Sequence, residues 1–280
     1  MSEKVNLNAY FERIGFSGSI APTLATLEML HALHAAAIPF ENLGPLMGES
    51  VALDQPSLER KLLVDKRGGY CFEHNFLFMR ILRDLDYTVR PLLARGLWTS
   101  PDNQKLSHMV LLVEMNGQNY LADVGHGGLT LTTPLRLRAD VEQATPHETF
   151  RLVGGAAEWT LEVRIGDDWR PVYAFELDTA GDAEISAVNQ TMATSPASPM
   201  VSSLRVALSP GGRRLKLLDT TFTIQPVEGE KEQREITSME SLRSVLTEEF
   251  GLVLPNDERL EPALERLLPD VPAPAAEPEV

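Results

Sequence analysis

Ser107-His108-Met109-Val110-Leu111-Leu112-Val113-Glu114-Met115-Asn116-Gly117-Gln118-Asn119-Tyr120-Leu121-Ala122-Asp123-Val124 is the stretch on which the fold turns. Two apolar runs flank Asn116-Gly117, the dipeptide that most favours a two-residue hairpin turn, because both residues tolerate positive φ. With that turn Asp123 faces Val110 and His108 faces Gly125. Residues 108 and 110 share a face, so His108 and Asp123 become diagonal neighbours, about 7–8 Å apart and within reach of their side chains. A three-residue turn would slip the register by one and put them on opposite faces.

On the N-terminal side the period is helical. The first 86 residues read as mostly helix. Leu24, Leu27, Leu30, His31 and His34 recur at three- and four-residue spacing, Pro22 suits a first helical turn, and Pro39 stops the helix. Pro56 and Ser57 open a short helix through Leu63. From Cys71 to Leu85, Phe72, Phe76, Met79 and Leu82 keep the helical period, with Gly68 and Gly69 just before it. On the C-terminal side the period is that of strands. Val89–Trp98 precedes the hairpin, and Thr149–Leu152, Trp159–Ile165 and Trp169–Ala174 follow it, separated by Gly154-Gly155 and Asp167-Asp168. Short strands at this spacing point to a barrel or sandwich. A further hairpin joins Leu204–Leu208 to Leu215–Leu218 through Pro210-Gly211-Gly212, and helices are expected near 238–250 and 257–268. Pro269–Val280, with four prolines and valine as its only bulky apolar residue, reads as a disordered tail.

Composition excludes several classes. Twenty-five basic and 40 acidic residues in 280 give a formal net charge of −15, which disfavours nucleic acid and anionic membrane surfaces as partners. The charge is uneven: residues 1–130 hold 11 basic and 14 acidic groups, and residues 227–280 hold 5 and 14. The acidity thus belongs chiefly to the end of the chain. One cysteine excludes an internal disulfide and a multi-cysteine zinc site, and no other metal ligand set is evident. It suits a reducing compartment. Met1–Tyr10 lacks the apolar core of a signal peptide, and Met29–Phe40 is too short and polar to span a bilayer. A cytoplasmic protein is expected. The glycine-rich nucleotide motifs are absent.

Cys71 is the natural candidate nucleophile, although a lone cysteine is as often an inert buried thiol. At a helix N-terminus a thiolate is favoured by the positive end of the dipole. A nucleophilic cysteine needs a base, and the base needs an orienting group. His74, three residues further on the same helix, is one choice of base; His108, oriented by Asp123, is the better one.

Arg67-Gly68-Gly69-Tyr70-Cys71-Phe72-Glu73-His74-Asn75 closely resembles the cysteine motif of the arylamine N-acetyltransferases. Pro39-Phe40-Glu41-Asn42, His108–Val113 and Asp123-Val124-Gly125-His126-Gly127 resemble three further motifs of that family, in the same order. The likeness runs from about residue 10 to 270. It implies an α+β fold with a cysteine-protease-like core: a helical bundle (1–86) with Cys71, a β-barrel (87–195) with His108 and Asp123, and an α/β lid (196–268). It implies ping-pong chemistry in which acetyl-coenzyme A acylates Cys71 and an arylamine, arylhydrazine or hydrazide takes the acetyl group, with O-acetylation of arylhydroxylamines as a variant. Cys71 would be nucleophile, His108 base and Asp123 the orienting acid. Phe40, Phe72 and His126 would line the acceptor pocket, and Ser107, Gly127 and Gly128 would meet the coenzyme. Glu41 and Arg67 would brace the cysteine loop. Acetyl-coenzyme A would be a substrate and no cofactor would be permanently bound. A monomer or weak homo-oligomer is expected. Arg213 and Arg214 are weaker candidates for phosphate contacts.

Two departures from the family pattern stand out: His126 and Met200 occupy positions where the family usually has phenylalanine. A hydrogen-bonding ring at 126 should change acceptor preference. The rival readings are a cysteine hydrolase of transglutaminase-like type, in which water takes the acyl group, and a non-catalytic binder of coenzyme A or aromatic ligands.

Overall fold

The computed structural model describes residues 4–269; the tail expected at 269–280 lies, from residue 270 on, outside the described residues. The chain opens with α1 (Leu7–Ile14) and α2 (Leu24–Ala37), capped by the side chains of Asn6 and Thr23. The second cap corrects the expectation for Pro22, which lies before the cap rather than in the first turn. A two-residue strand, β1 (Phe40–Glu41), and the turn-length α3 (Leu43–Leu46) follow. Asp54 then caps α4 (Gln55–Glu59), which runs on as one π-helical turn, Arg60–Val64. Helix α5 (Cys71–Asp84) is the hub of this layer, with every residue from Cys71 to Met79 buried. Its first turn is closed by Glu73 Oε2, which accepts the Tyr70 N–H at 3.0 Å and leaves one fewer orphan donor at the helix start.

The strands begin with β2 (Thr88–Gly96), β3 (His108–Met115), β4 (Gln118–Ala122), β5 (Leu135–Arg136), β6 (Gln143–Ala144), β7 (Thr149–Gly154), β8 (Glu158–Ile165) and β9 (Asp168–Glu176). They form one antiparallel sheet in the order β5-β4-β3-β2-β9-β8-β7-β6. The sheet curls until its edges meet. The Gln143 side chain on β6 accepts the Arg136 N–H and donates to the Arg136 carbonyl of β5, at 2.8 and 3.0 Å. A side-chain amide thus stands in for a missing strand bond and nearly closes the barrel. Pro91 falls in β2 where β9, which pairs only with Ala94–Gly96, does not need its missing N–H.

Helix α6 (Asp182–Thr194), unforeseen in the stretch read as barrel, and the short α7 (Pro199–Ser202) lead to the second sheet. Its new strands are β10 (Arg205–Leu208), β11 (Arg213–Leu218), β12 (Thr221–Pro226) and β13 (Glu232–Glu235), and its order is β1-β10-β11-β12-β13. The β10–β11 hairpin is the one expected; β12 and β13 are additional. The chain ends in α8 (Met239–Ser244), continued by a π turn at Val245–Glu249, and α9 (Leu260–Glu265). These pack Leu242, Leu246, Phe250 and Leu264 against the second sheet. The fold is therefore α+β: a helical bundle, a barrel-like sheet and an α/β lid. Among the described residues no helix is long and apolar enough to cross a membrane.

Candidate active site

The loop before α5 docks on β1 with no room for side chains. A Cβ on Gly68 would lie 2.0 Å from the Pro39 carbonyl oxygen, so only glycine fits that approach. Backbone bonds run both ways: Glu41 N–H to Gly69 O at 2.8 Å, and Gly69 N–H to Pro39 O at 3.3 Å. The fully buried Glu41 accepts from Arg67 through Oε1 at 3.0 Å, and through Oε2 from the Leu43 N–H at 2.6 Å. Burial raises the Glu41 pKa, but Lys61 and Arg67 outweigh it and hold the carboxylate below its ordinary range. Lys61 also grips Glu73 at 2.7 Å. This lattice of charges fixes where Cys71 begins its helix. Replacing one partner would leave a buried charge uncompensated.

The hairpin has the two-residue turn. Asn116 and Gly117 have φ of 49° and 70°, and Leu111 pairs with Ala122. The diagonal placement of His108 and Asp123 follows, and His108 Nε2 lies 2.8 Å from Asp123 Oδ2. Asp123 Oδ1 accepts from Asn75 Nδ2 at 2.9 Å and from the Gly125 N–H at 3.0 Å. Both oxygens of this buried carboxylate are therefore engaged. Burial alone would raise the Asp123 pKa, yet His108 more than offsets it and the carboxylate lies well below its ordinary range. For His108 burial opposes the charge, and the Asp123 carboxylate overcomes that opposition; Cys71 adds to the effect, and the imidazolium is favoured. His108 spends Nε2 on Asp123, which leaves Nδ1 for the Cys71 side. The thiol lies near the mouth of this arrangement, only 6% exposed, with its sulfur 3.9 Å from the Ser107 carbonyl oxygen.

The remaining sequence candidates divide. The ring of Phe40 is half-buried, parallel to His74 at 6.5 Å, and a Cβ on Gly127 would touch it at 3.4 Å. His126 sets its ring edge-on to His108 at 5.1 Å, and burial, then the His108 charge, pushes its pKa down to about 3. Phe72 is wholly buried against Tyr70 and backs the site from the core. Ser107 spends its hydroxyl on the Gly96 N–H at 3.2 Å. Arg214 is held inside: it forks onto Glu148 and also bonds Ser209 and the Thr130 carbonyl, which takes four of its five N–H donors, and the side chain is buried away from any coenzyme phosphate. His74 turns away from the thiol. Its Nε2–H donates to Pro39 O at 3.1 Å, and its Nδ1 accepts from His34 Nε2–H at 2.8 Å. Met200 is buried, and its carbonyl accepts from Asn42 at 2.7 Å.

A cysteine at a helix start, a histidine on a strand and an aspartate after the next strand make an arrangement for nucleophilic acyl transfer. The N-acetyltransferase family model matches residues 23–259. This chain belongs to the arylamine N-acetyltransferase family. It is 39% identical over 248 residues to the Escherichia coli (strain K12) arylamine N-acetyltransferase, covering 88% of each chain. It is 35% identical over 254 residues to that of Mycobacterium tuberculosis (strain ATCC 25618 / H37Rv), covering 89% of each. Among solved structures, the Mycobacterium marinum arylamine N-acetyltransferase in complex with CoA superposes with a TM-score of 0.89 at 33% identity, covering 94% of this chain and all of that one.

Three residues of the site escaped the sequence reading. Asn75 stands one helical turn beyond Cys71 and bonds Asp123, the Met109 carbonyl and the Val124 N–H. Its spacing from Cys71 was a usable signal. Gly125 was not assigned a role; a Cβ there would lie 3.0 Å from Cys71 Cα. His31 accepts the Asp123 N–H, a contact between distant parts of the chain for which local sequence holds no signal.

Proposed function

We propose that the protein is an arylamine N-acetyltransferase working through Cys71, His108 and Asp123. The observation that carries this reading is the buried 2.8 Å contact of His108 with Asp123, set beside Cys71 at the start of α5. In the first half-reaction the Cys71 thiolate attacks the thioester carbonyl of acetyl-coenzyme A. A new carbon–sulfur bond forms, the bond to coenzyme A breaks, and the departing thiolate takes a proton from the His108 imidazolium. In the second the amine nitrogen attacks the acetyl-cysteine carbonyl. His108 accepts the nitrogen's proton, and Cys71 is expelled as thiolate. Asp123 holds the imidazole orientation and balances its charge in both halves.

Phe40 and His126 form the accessible aromatic wall for the acceptor, with Phe72 behind it, and Glu41 and Arg67 hold the loop that presents Cys71. Gly127 and Gly128 offer backbone at the donor's side. A reducing, cytoplasmic setting keeps the lone thiol available. O-acetylation of arylhydroxylamines fits the same acetyl-cysteine, because only the attacking atom changes.

The test is stoichiometric acetyl labelling of Cys71 by acetyl-coenzyme A, lost in Cys71→Ala, with coenzyme A release that depends on added arylamine. Release at the same rate without amine supports the hydrolase instead. Absence of labelling supports a non-catalytic binder.

A further inference from the structure

Four successive residues of the loop after Asp123 each pack on a different part of the site. A Cβ on Gly125 would meet Cys71 Cα at 3.0 Å, His126 lies edge-on to His108, Gly127 abuts the Phe40 ring, and a Cβ on Gly128 would meet Lys216 Cδ at 3.4 Å. Gly125 and Gly128 are three peptide steps apart, so their Cα atoms are separated by no more than about 11 Å. The same short loop therefore touches Cys71 at one end and the Lys216 stem at the other.

Strand register gives the same placement independently. Phe40 pairs with Ala207, and Ala207 pairs with Lys216. Directly paired residues point to the same face, so Phe40 and Lys216 share a face two strand spacings, about 10 Å, apart.

Lys216 is half-buried, and its ammonium bonds only the neutral Gln225 Oε1, at 3.1 Å. Among the described residues it has no carboxylate in ion-pair range. Glu148, whose charge it feels, is already held by Arg214. Arg214 and Lys231 add positive charge around it. A chain of net charge −15 thus carries, at the far end of the 125–128 loop, an ammonium with no paired carboxylate. A partly desolvated ammonium without a counter-ion is unfavourable, and an anionic ligand oxygen removes that penalty and gains a charge-assisted hydrogen bond.

We propose that Lys216 binds an anionic oxygen of a substrate lying along Gly125–Gly128, either a phosphate of the acyl donor or a carboxylate on the aromatic amine. The inference rests on the acetyl-transfer reading above. It assigns to Lys216 the task from which Arg214, buried and locked onto Glu148, is withheld.

The experiment compares wild type, Lys216→Met and Lys216→Arg in the full chain. Donors are acetyl-coenzyme A and S-acetyl-N-acetylcysteamine, which carries no phosphate. Acceptors are 4-aminobenzoate and its uncharged ethyl ester. The expected result is a rise of roughly tenfold in KM for one charged substrate in Lys216→Met, no change for its neutral counterpart, and recovery in Lys216→Arg. A rise confined to acetyl-coenzyme A identifies the phosphate, and one confined to 4-aminobenzoate identifies the carboxylate. Unchanged KM values throughout, or equal losses with neutral substrates, overturn the proposal. Calorimetric titration with coenzyme A and with 4-aminobenzoate reads the same difference without turnover. A wild-type protein that transfers no acetyl group, yet binds either anion through Lys216, would overturn the acetyl-transfer reading alone.

Discussion

His31 Nε2 accepts the backbone N–H of Asp123 at 3.1 Å, across 92 residues of sequence. An accepting Nε2 puts the ring proton on Nδ1, and the ring is neutral: burial pushes its pKa down to about 4 despite the Asp123 charge. A helix of the bundle thus holds the main chain at the end of the barrel hairpin, where the aspartate side chain meets His108. His31→Leu should leave that N–H unpaired and cost about 1–3 kcal/mol of stability. It should also lower kcat more than it raises KM, because His31 touches no reactant. Urea unfolding and steady-state kinetics check both; a variant with wild-type kcat would remove His31 from the positioning network.

Asp123→Asn removes the carboxylate that overcomes burial and keeps His108 protonated. The imidazolium should then be lost at lower pH, and with it the positive charge set beside Cys71. We expect kcat to fall on the order of 10⁴-fold, the scale seen when a triad aspartate becomes asparagine. Iodoacetamide alkylation of Cys71 should slow at pH 7. Equal alkylation rates in the two proteins would sink the assigned role.

His126→Phe should not destabilise the protein. His126 Nδ1 is buried with no hydrogen-bond partner, so the substitution removes an unpaired polar atom. The melting temperature should stay level or rise, and acceptor preference should move from polar hydrazides toward apolar arylamines. An unchanged acceptor profile would show that the ring at 126 does not select the amine.

Gly125→Ala should be far more damaging than Gly155→Ala. A Cβ at 125 meets Asn75 Nδ2, Cys71 Cα and the Cys71 carbonyl oxygen, each at 3.0 Å, whereas nothing lies within 4 Å of one at 155. Overpacking of this kind costs about 1–3 kcal/mol, and here it pushes on the start of α5. Melting temperatures and Cys71 acylation rates of the pair measure the contrast.

Acid should destabilise the fold through its buried neutral histidines. His31 and His74 have pKa values pushed down by burial to about 4. In the unfolded chain they titrate near 6.5. Below that pH the unfolded state binds protons that the native state refuses, so stability falls from about pH 6.5 toward pH 4. For His31 alone the span amounts to about 3 kcal/mol. His108 has the opposite sign: its contribution is full below the unfolded value and is lost as pH rises through its raised native pKa. Urea midpoints against pH should therefore fall on the acid side, and less steeply in His74→Gln; parallel acid limbs would refute the assignment for His74.

Much of the site was legible because two of its three central residues are placed by a local rule. A strand has a side-chain period of two, and Asn116-Gly117 can adopt the positive φ values of a tight turn. Together these put His108 beside Asp123 without reference to the rest of the chain. Helical spacing likewise placed Cys71 at the start of α5, and the β10–β11 hairpin was readable from its turn. The misses have physical causes. Helix α6 is weakly amphipathic, with only Ile185, Asn189 and Ala193 buried, so its period is faint. Strand β13 is wholly exposed and has no apolar alternation to betray it.

By itself, then, the sequence determined the local partners: a hairpin register, a helix start and a glycine loop, each dictated by backbone preference over a few residues. Only the tertiary structure decided which distant surfaces meet. It set His31 under Asp123, turned His74 away from the thiol, locked Arg214 onto Glu148 and left Lys216 without a counter-ion. Those outcomes depend on how the helical layer, the barrel and the lid dock, and docking is settled by the packing of whole faces, which leaves no periodicity in a single segment.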